Sequence, residues 1–144
     1  MTVKHLDHLN MTVKDLAETT QWYHRVFGFE IVEKGTWSGA PWAIIQSGDA
    51  MLCVYEHPEL ATIEDGDGPT HHINHFGLRI TDKLQWEETL ERESIPVHYG
   101  PYRWPHSTAW YISDPTGYEI EVALWDNDQV RFDSSQIHET AIQR

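Results

Sequence analysis

The stretch WYISDPTGYEIEVALW, residues 110–125, predicts a β-hairpin around which the rest of the chain is organised. Its centre, Asp114-Pro115-Thr116-Gly117, has the residues that a type I turn favours at its first, second and fourth positions. The alternation that follows the turn predicts a strand with two distinct faces. The two faces would carry, respectively, Tyr118, Ile120, Val122 and Leu124, and Glu119, Glu121, Ala123 and Trp125. Glu121 is thus a mid-strand carboxylate, which either a surface edge strand or a functional site would carry.

Composition limits the class of protein. The chain has 144 residues, 40% of them hydrophobic and seven of them Trp, which suits one packed domain. Its formal charge of -13 would repel phosphate backbones, so we expect no nucleic-acid partner. The polar first residues and the absence of a long apolar run in the sequence predict neither a signal peptide nor a membrane span, and hence a cytoplasmic protein. The single Cys53 cannot form an internal disulfide.

An internal repeat divides the chain into two similar halves. The segment HLNMTVKDL from His8 aligns with HFGLRITDKL from His75, and each predicts a strand followed by a helix. Apolar residues alternate along both strands, so both histidines lie on the face turned away from the core. Each helix opens on an Asp-x-x-Glu/Gln capping pattern, at Asp15 and at Asp82.

The element order predicted for each half is βαβββ. Helices are expected over about 16–27, ended by Gly28, and over about 83–94, before Pro96. The strands that follow the helices are expected over 29–34, 43–46, 51–56, 97–99, 108–113 and 118–125. The fold class is therefore α+β, a single domain at 1–126 made of two βαβββ modules, 1–57 and 72–126. The remaining segments are a linker at 58–71 and a polar C-terminal tail at 127–144 with a short helix near 136–142.

Two histidines at equivalent positions and a mid-strand carboxylate suggest a metal site. His8, His75 and Glu121 would form a two-His, one-carboxylate set if the first strands of the two modules lay near one another. Such a set leaves coordination positions open on Fe²⁺ and also suits Mn²⁺, Zn²⁺ or Ni²⁺. Two surface histidines with other partners would produce the same pattern, so the spacing alone leaves both interpretations open.

Most of the chain, from about residue 3 to residue 126, resembles the vicinal oxygen chelate superfamily, which includes glyoxalase I, bleomycin-resistance proteins, fosfomycin-modifying enzymes and extradiol dioxygenases. The matching segments are LDHLNMTVKDL, WYHRVFGFE, INHFGLRITD and YISDPTGYEIEV. In that family two paired βαβββ modules form an open, cup-shaped mixed sheet around one divalent metal ion. The resemblance implies the same cup here, with His8, His75 and Glu121 as metal ligands. It also favours a homodimer, which would cover the exposed strand edges.

Two departures from the family pattern bear on the activity. Some members take a fourth ligand from the last strand of the first module, where this chain has Cys53, or Val54 one residue on, in place of Glu. This argues against glyoxalase I activity. Extradiol dioxygenases resemble the chain in a Y-x-x-D-P-x-G-x-x-x-E pattern that begins at their active-site Tyr, here Tyr111. Their active-site His is replaced by Tyr102, although the nearby His106 could carry a proton.

Two classes of function follow. The first is a divalent-metal-dependent enzyme of the dioxygenase or lyase/isomerase type, extradiol-dioxygenase-like, with Tyr111 and His106 as catalytic residues. It would act on a small, aromatic substrate with vicinal oxygens, on which the metal stabilises negative charge. The second is a bleomycin-resistance-like protein that sequesters a small molecule, a cationic one by charge. The substrate-binding candidates are Trp42, Cys53, Arg79, Tyr102, Arg103 and Trp110.

Overall fold

The computed structural model describes residues 1, 3–59 and 73–132, which form two similar modules. The elements of the first module are β1 (Leu9–Val13), α1 (Leu16–Phe27), β2 (Glu30–Trp37), β3 (Ala40–Ser47) and β4 (Ala50–Glu56). Those of the second are β5 (Phe76–Ile80), α2 (Lys83–Arg92), β6 (Tyr99–Arg103), β7 (Ser107–Ser113) and β8 (Glu119–Trp125), followed by a 3-10 turn at Asp126–Asp128. The predicted order, βαβββ twice, is confirmed.

Each module has its own four-stranded mixed sheet. The strand orders are β1-β4-β3-β2 and β5-β8-β7-β6, so the first strand of each module pairs in parallel with the last and lies at the edge of its sheet. The other pairings are antiparallel. This confirms the α+β class. Nearly all of the predicted linker and the predicted helix of the tail lie outside the described residues.

Both helices begin at the predicted caps. The Asp15 side chain accepts a hydrogen bond from the Glu18 N–H at 2.8 Å, and Asp82 caps α2 in the same way. Gly28 ends α1 with a left-handed φ of 67°, and its N–H donates to the His24 carbonyl at 3.0 Å. The second helix ends at Arg92, two residues before the predicted end. Ser94 has a φ of 52°, which is outside the helical range.

The two modules share one hydrophobic core. The β8 residues Ile120 and Val122 are fully buried, as their predicted face requires. The Phe27 ring of α1 stacks on Trp86 of α2 with centroids 5.6 Å apart, and Trp86 meets Trp110 of β7 edge-on at 6.4 Å. Burying each of these large side chains contributes on the order of 1.5–3 kcal/mol. The two sheets are therefore held together through their helices.

The turn between β7 and β8 also joins the modules. Asp114 Oδ1 accepts hydrogen bonds from the N–H groups of Thr116, Gly117 and Tyr118, each at 2.9 Å. Its other oxygen, Oδ2, accepts one from the Tyr23 hydroxyl of α1 at 3.1 Å. The Gly117 N–H closes the predicted turn on the Asp114 carbonyl at 3.0 Å. The most specific motif of the sequence thus fixes the second module against the first.

The face of each sheet opposite the core is open. Alternation places Asn10, Cys53 and Tyr55 on the open face of the first sheet, and Glu119 and Glu121 on that of the second. The free edges of β1 and β5 belong to different sheets, so the two aligned strands do not pair with one another. In the part of the chain that the structure describes, no helix has the length and apolarity needed to cross a membrane.

Candidate active site

His75 and Glu121 lie side by side on the open face of the second sheet. His75 directly precedes β5, and the parallel register of β5 with β8 sets Gly77 opposite Glu121. The distance from His75 Nε2 to Glu121 Oε2 is 3.1 Å. Both side chains are roughly 30% exposed, which leaves them accessible to a ligand from the open side. Two of the three predicted metal ligands are therefore adjacent.

A second carboxylate, which the sequence analysis left without a role, flanks the same imidazole. Glu119 Oε1 lies 3.4 Å from His75 Nδ1, on the other side of the ring from Glu121. Within the described residues this buried Nδ1 has no hydrogen-bond partner. The signal that could have found Glu119 is its spacing, since residues two apart on a strand share a face.

His8, the third predicted ligand, does not join this pair within one chain. Its Nδ1 lies 2.8 Å from Asp7 Oδ1, and its side chain is about half exposed just before β1. Over residues 1, 3–59 and 73–132, no group of three or more His, Cys, Asp or Glu side chains is arranged to hold a metal ion. The residues present fit a metal in part, with one imidazole and one carboxylate in place. The complete triad stays a prediction.

An aromatic wall borders His75 and Glu121. Tyr111 of β7 lies opposite Glu121 in register, and its ring centroid is 5.5 Å from that of His75, with the planes at 84°. Tyr99 and Tyr102 of β6 each lie edge-on to Tyr111 at 6.3 Å. The sequence analysis did not select Tyr99, and residues three apart on a regular strand point to opposite faces, so alternation would not have placed it beside Tyr102. A register shift between Tyr99 and Tyr102 brings both to Tyr111.

The first sheet carries its own aromatic surface, which includes two of the predicted substrate contacts. The Trp42 ring stacks on Tyr55 with centroids 6.1 Å apart, and it lies so close to Gly35 that a Cβ there would come within 2.9 Å of the ring. Cys53 is half-buried on the same strand face as Tyr55 and lies opposite Asn10. Burial and the neighbouring Cys53 thiol raise the pKa of the Tyr55 hydroxyl. Trp42 and Cys53 thus face outward, but from a different sheet than His75.

The two arginines among the predicted substrate contacts already have carboxylate partners. Arg79 contacts both the side chain and the backbone carbonyl of Asp128. Arg103 donates to Asp126 through both terminal nitrogens, from Nη1 to Oδ1 at 2.8 Å and from Nη2 to Oδ2 at 2.5 Å. This pairing lowers the pKa of Asp126 and raises that of Arg103. A substrate anion would have to compete with these carboxylates.

Two other predicted site residues have different surroundings. Trp110 is 2% exposed and packs in the core, so its prediction as a substrate contact is wrong. The reason is the alternation of β7, which sends Tyr111 to the open face and Trp110 to the core. His106 is half-buried in the turn between β6 and β7, and its carbonyl accepts a hydrogen bond from the Asp126 N–H at 3.0 Å. Its role as a proton carrier stays a prediction.

A cavity in the described part of the chain lies away from this site. It has a volume of about 870 Å³ and lies between the end of α1, the edge strand β5 and the start of α2. Arg25, Arg79 and Trp86 are among its lining residues, whereas His75, Tyr111 and Glu121 are not. Because the His75 and Glu121 side chains are partly exposed on the face of the sheet, a substrate bound there would need a further cover to exclude water.

The chain is similar in sequence to a known protein family. A sequence model of the Glyoxalase/Bleomycin resistance protein/Dioxygenase superfamily matches residues 5–122. A catechol-2,3-dioxygenase of Bacillus subtilis (strain 168) is 24% identical over 134 residues, which are 87% of this chain but 45% of that relative, so the chain spans about half of its length.

Three solved structures illustrate the range of similar proteins. A glyoxylase/bleomycin resistance protein/dioxygenase domain from Frankia sp. EAN1pec has a TM-score of 0.73 at 17% identity, over 89% of this chain and 96% of that one. A lactoylglutathione lyase from Agrobacterium tumefaciens has a TM-score of 0.63 at 26% identity, over 86% and 96%. An antibiotic-binding protein from Streptomyces sp. CB03234 has a TM-score of 0.66 at 19% identity, over 88% and 99%. With the family match covering most of its length, the chain belongs to the glyoxalase/bleomycin resistance protein/dioxygenase superfamily.

Proposed function

We propose that this protein is a divalent-metal-dependent enzyme that acts on a small aromatic substrate with vicinal oxygens, in a reaction like that of the extradiol dioxygenases. The observation that carries the proposal is the distance of 3.1 Å between His75 Nε2 and Glu121 Oε2 on an open, tyrosine-walled face. An imidazole nitrogen and a carboxylate oxygen are two donors of the set that holds Fe²⁺ in oxygenases and that also suits Mn²⁺, Zn²⁺ or Ni²⁺. The similarity to a catechol-2,3-dioxygenase supports the substrate class.

The residues around His75 and Glu121 would have different chemical roles. A bound metal would supply Lewis acidity, which stabilises negative charge on the vicinal oxygens of the substrate. The rings of Tyr99 and Tyr102 offer edge-on and stacked contacts to an aromatic substrate. Tyr111, whose ring touches His75, would hold a hydroxyl proton near the reacting oxygens and donate it as the substrate opens.

We assign the third ligand, His8, to a second copy of the chain. Both β1 and β5 have an unpaired edge, and exposed edges of this kind are commonly covered by another chain. In a symmetric dimer, β1 of one copy beside β5 of the other would bring His8 towards His75 and Glu121. The same arrangement would set the Trp42 and Tyr55 surface opposite the aromatic wall of Tyr99, Tyr102 and Tyr111. The two surfaces together would complete the cup and cover the open site.

Mixing two inactive variants tests this assignment together with the metal. His8→Ala and Glu121→Ala should each lose most of the bound divalent ion, against about one per chain in the wild type. If the variants are unfolded together and refolded as a mixture, about half of the dimers are mixed and each has one intact site, so metal content returns to about a quarter of the wild-type value. The control is a mixture of His75→Ala with Glu121→Ala, which lie in the same half-site and should restore nothing. Equal metal content in all of the single variants would refute the site.

A sequestering protein is the second candidate, and the aromatic surfaces favour it. Two carboxylates and three tyrosines on one face, in a chain with a net charge of -13, suit a cationic aromatic ligand. The similar antibiotic-binding protein from Streptomyces supports this alternative. A catechol panel that gives no oxygen uptake with the Fe²⁺-loaded protein, together with salt-sensitive binding of a cationic aromatic drug to metal-free protein, would favour sequestration over catalysis.

A further inference from the structure

The two carboxylates of β8 contact different nitrogens of His75. Glu121 Oε2 is 3.1 Å from Nε2, whereas Glu119 Oε1 is 3.4 Å from Nδ1. The two glutamates share a strand face because they are two residues apart. The two nitrogens of an imidazole ring point in different directions. A metal ion bound at Nε2 of His75 would therefore lie beside Glu121 and not beside Glu119.

The Nδ1 atom of His75 needs an acceptor if Nε2 binds a metal. A neutral imidazole carries a single N–H, which must then lie on Nδ1. In the part of the chain described, Nδ1 is buried without a hydrogen-bond partner, because the contact with Glu119 is longer and less direct than a hydrogen bond. Leaving a buried donor unpaired is unfavourable, because its hydrogen bond to water is lost and not replaced. Shortening this 3.4 Å contact to about 2.9 Å would give an ordinary N–H···O hydrogen bond.

We propose that Glu119 is a positioning residue that accepts the Nδ1–H of His75 and thereby turns Nε2 towards the ligand site beside Glu121. The inference rests on the proposed metal-dependent function, since it assigns Nε2 to the metal. Carboxylates that accept the second N–H of a metal-binding histidine fix both the tautomer and the orientation of the ring. Glu119 thus acts through His75 and does not touch the metal or the substrate.

Metal affinity is the first readout. In competition with a chromophoric chelator, Glu119→Ala should bind Zn²⁺ about 10–100-fold more weakly than the wild type, the usual effect of losing such a partner. Glu119→Gln should lose less, since its amide oxygen still accepts the N–H. The matched control is Glu30→Gln, which alters an exposed carboxylate 3.1 Å from Nδ1 of another histidine, His24, and should leave the affinity unchanged. Far-UV circular dichroism checks that each variant is folded.

The second readout needs no metal. Long-range ¹H–¹⁵N spectra of metal-free Glu121→Ala, in which Glu119 is the carboxylate left beside the ring, should place the hydrogen on Nδ1, with the His75 signals assigned by their loss in His75→Gln. In metal-free Glu119→Ala the hydrogen should lie on Nε2, which faces Glu121 at 3.1 Å. The same tautomer in both variants, or a loss of Zn²⁺ affinity no larger than in Glu30→Gln, would overturn the role of Glu119. If the wild type binds no Zn²⁺ but the tautomer responds, the proposed metal-dependent function fails and the Glu119–His75 orientation stands.

Discussion

The hydrogen bond between Tyr23 and Asp114 lets the coupling of the two modules be measured. In Tyr23→Phe the ring keeps its place in the core, while Asp114 Oδ2 loses the hydroxyl that donates to it at 3.1 Å. The three backbone N–H groups all donate to the other oxygen, Oδ1, so Oδ2 would be left buried and unpaired. Hydrogen bonds to charged groups contribute about 1.5–3 kcal/mol, and we expect the free energy of unfolding at pH 7 to fall by about 2 kcal/mol.

The loss of unfolding free energy in Tyr23→Phe should depend on pH, and the protonation of Asp114 sets the direction of that dependence. Burial raises the pKa of the Asp114 carboxyl above its ordinary 3.8, and the donated hydrogen bonds, including that from Tyr23, offset part of the rise. A carboxyl with a raised folded pKa gives stability that is complete below its unfolded pKa and is lost as the pH rises through the folded one. Removing the Tyr23 hydroxyl raises this folded pKa further, so Tyr23→Phe should cost less near pH 4 than at pH 7.

Urea unfolding at several pH values measures both effects. A loss of about 2 kcal/mol corresponds to a fall in Tm of roughly 6 °C for a chain of this size. The control is Tyr118→Phe, which removes a hydroxyl that donates to the uncharged Thr12 carbonyl at 2.9 Å. It should cost about 1 kcal/mol, with little change between pH 4 and pH 7. A Tyr23→Phe loss below about 0.5 kcal/mol, or one that is equal at both pH values, would refute the reasoning.

Three further predictions concern the site, the core and the assembly. Tyr111→Phe should slow catechol turnover, measured as oxygen uptake, and leave metal content unchanged, because its proposed role is proton donation; loss of metal would contradict that role. Trp110→Ala should lower the free energy of unfolding by about 3–5 kcal/mol in urea, as for a core aromatic, and a loss under about 1 kcal/mol would argue against its burial. Light scattering at micromolar concentration should give a dimer mass, and the monomer mass of 16.8 kDa would reject the shared site.

Local patterns predicted the elements well. The span of α1, residues 16–27, agrees with the structure because its cap at Asp15 and its stop at Gly28 are set by neighbours within the same turn. The hairpin around Asp114 and Gly117 agrees for the same reason. Among the site candidates, alternation placed His75, Tyr111 and Glu121 on faces that the sheet pairing brings together.

Most of the site contacts that the sequence did not predict depend on distant segments, and Trp110 is the exception. Alternation in β7 was sufficient to separate Trp110 from Tyr111, and applying it would have assigned Trp110 to the core. The partners of Arg79 and Arg103, by contrast, lie just after β8 and depend on how the sheet is assembled. Tyr99 reaches the site only through the register shift in β6, which the alternation rule does not anticipate.

Local patterns were enough to predict the two βαβββ modules, their caps and turns, and the outward faces of His75 and Glu121, since each depends on residues a few positions apart. The sheet topology, by contrast, places β1 and β5 at the edges of separate sheets, so within one chain His8 does not meet the other two candidate ligands. It also sets Glu119 beside His75. These features could not be read from local patterns because strand pairing joins segments far apart in the chain, and the packing of the whole core selects its register and partners.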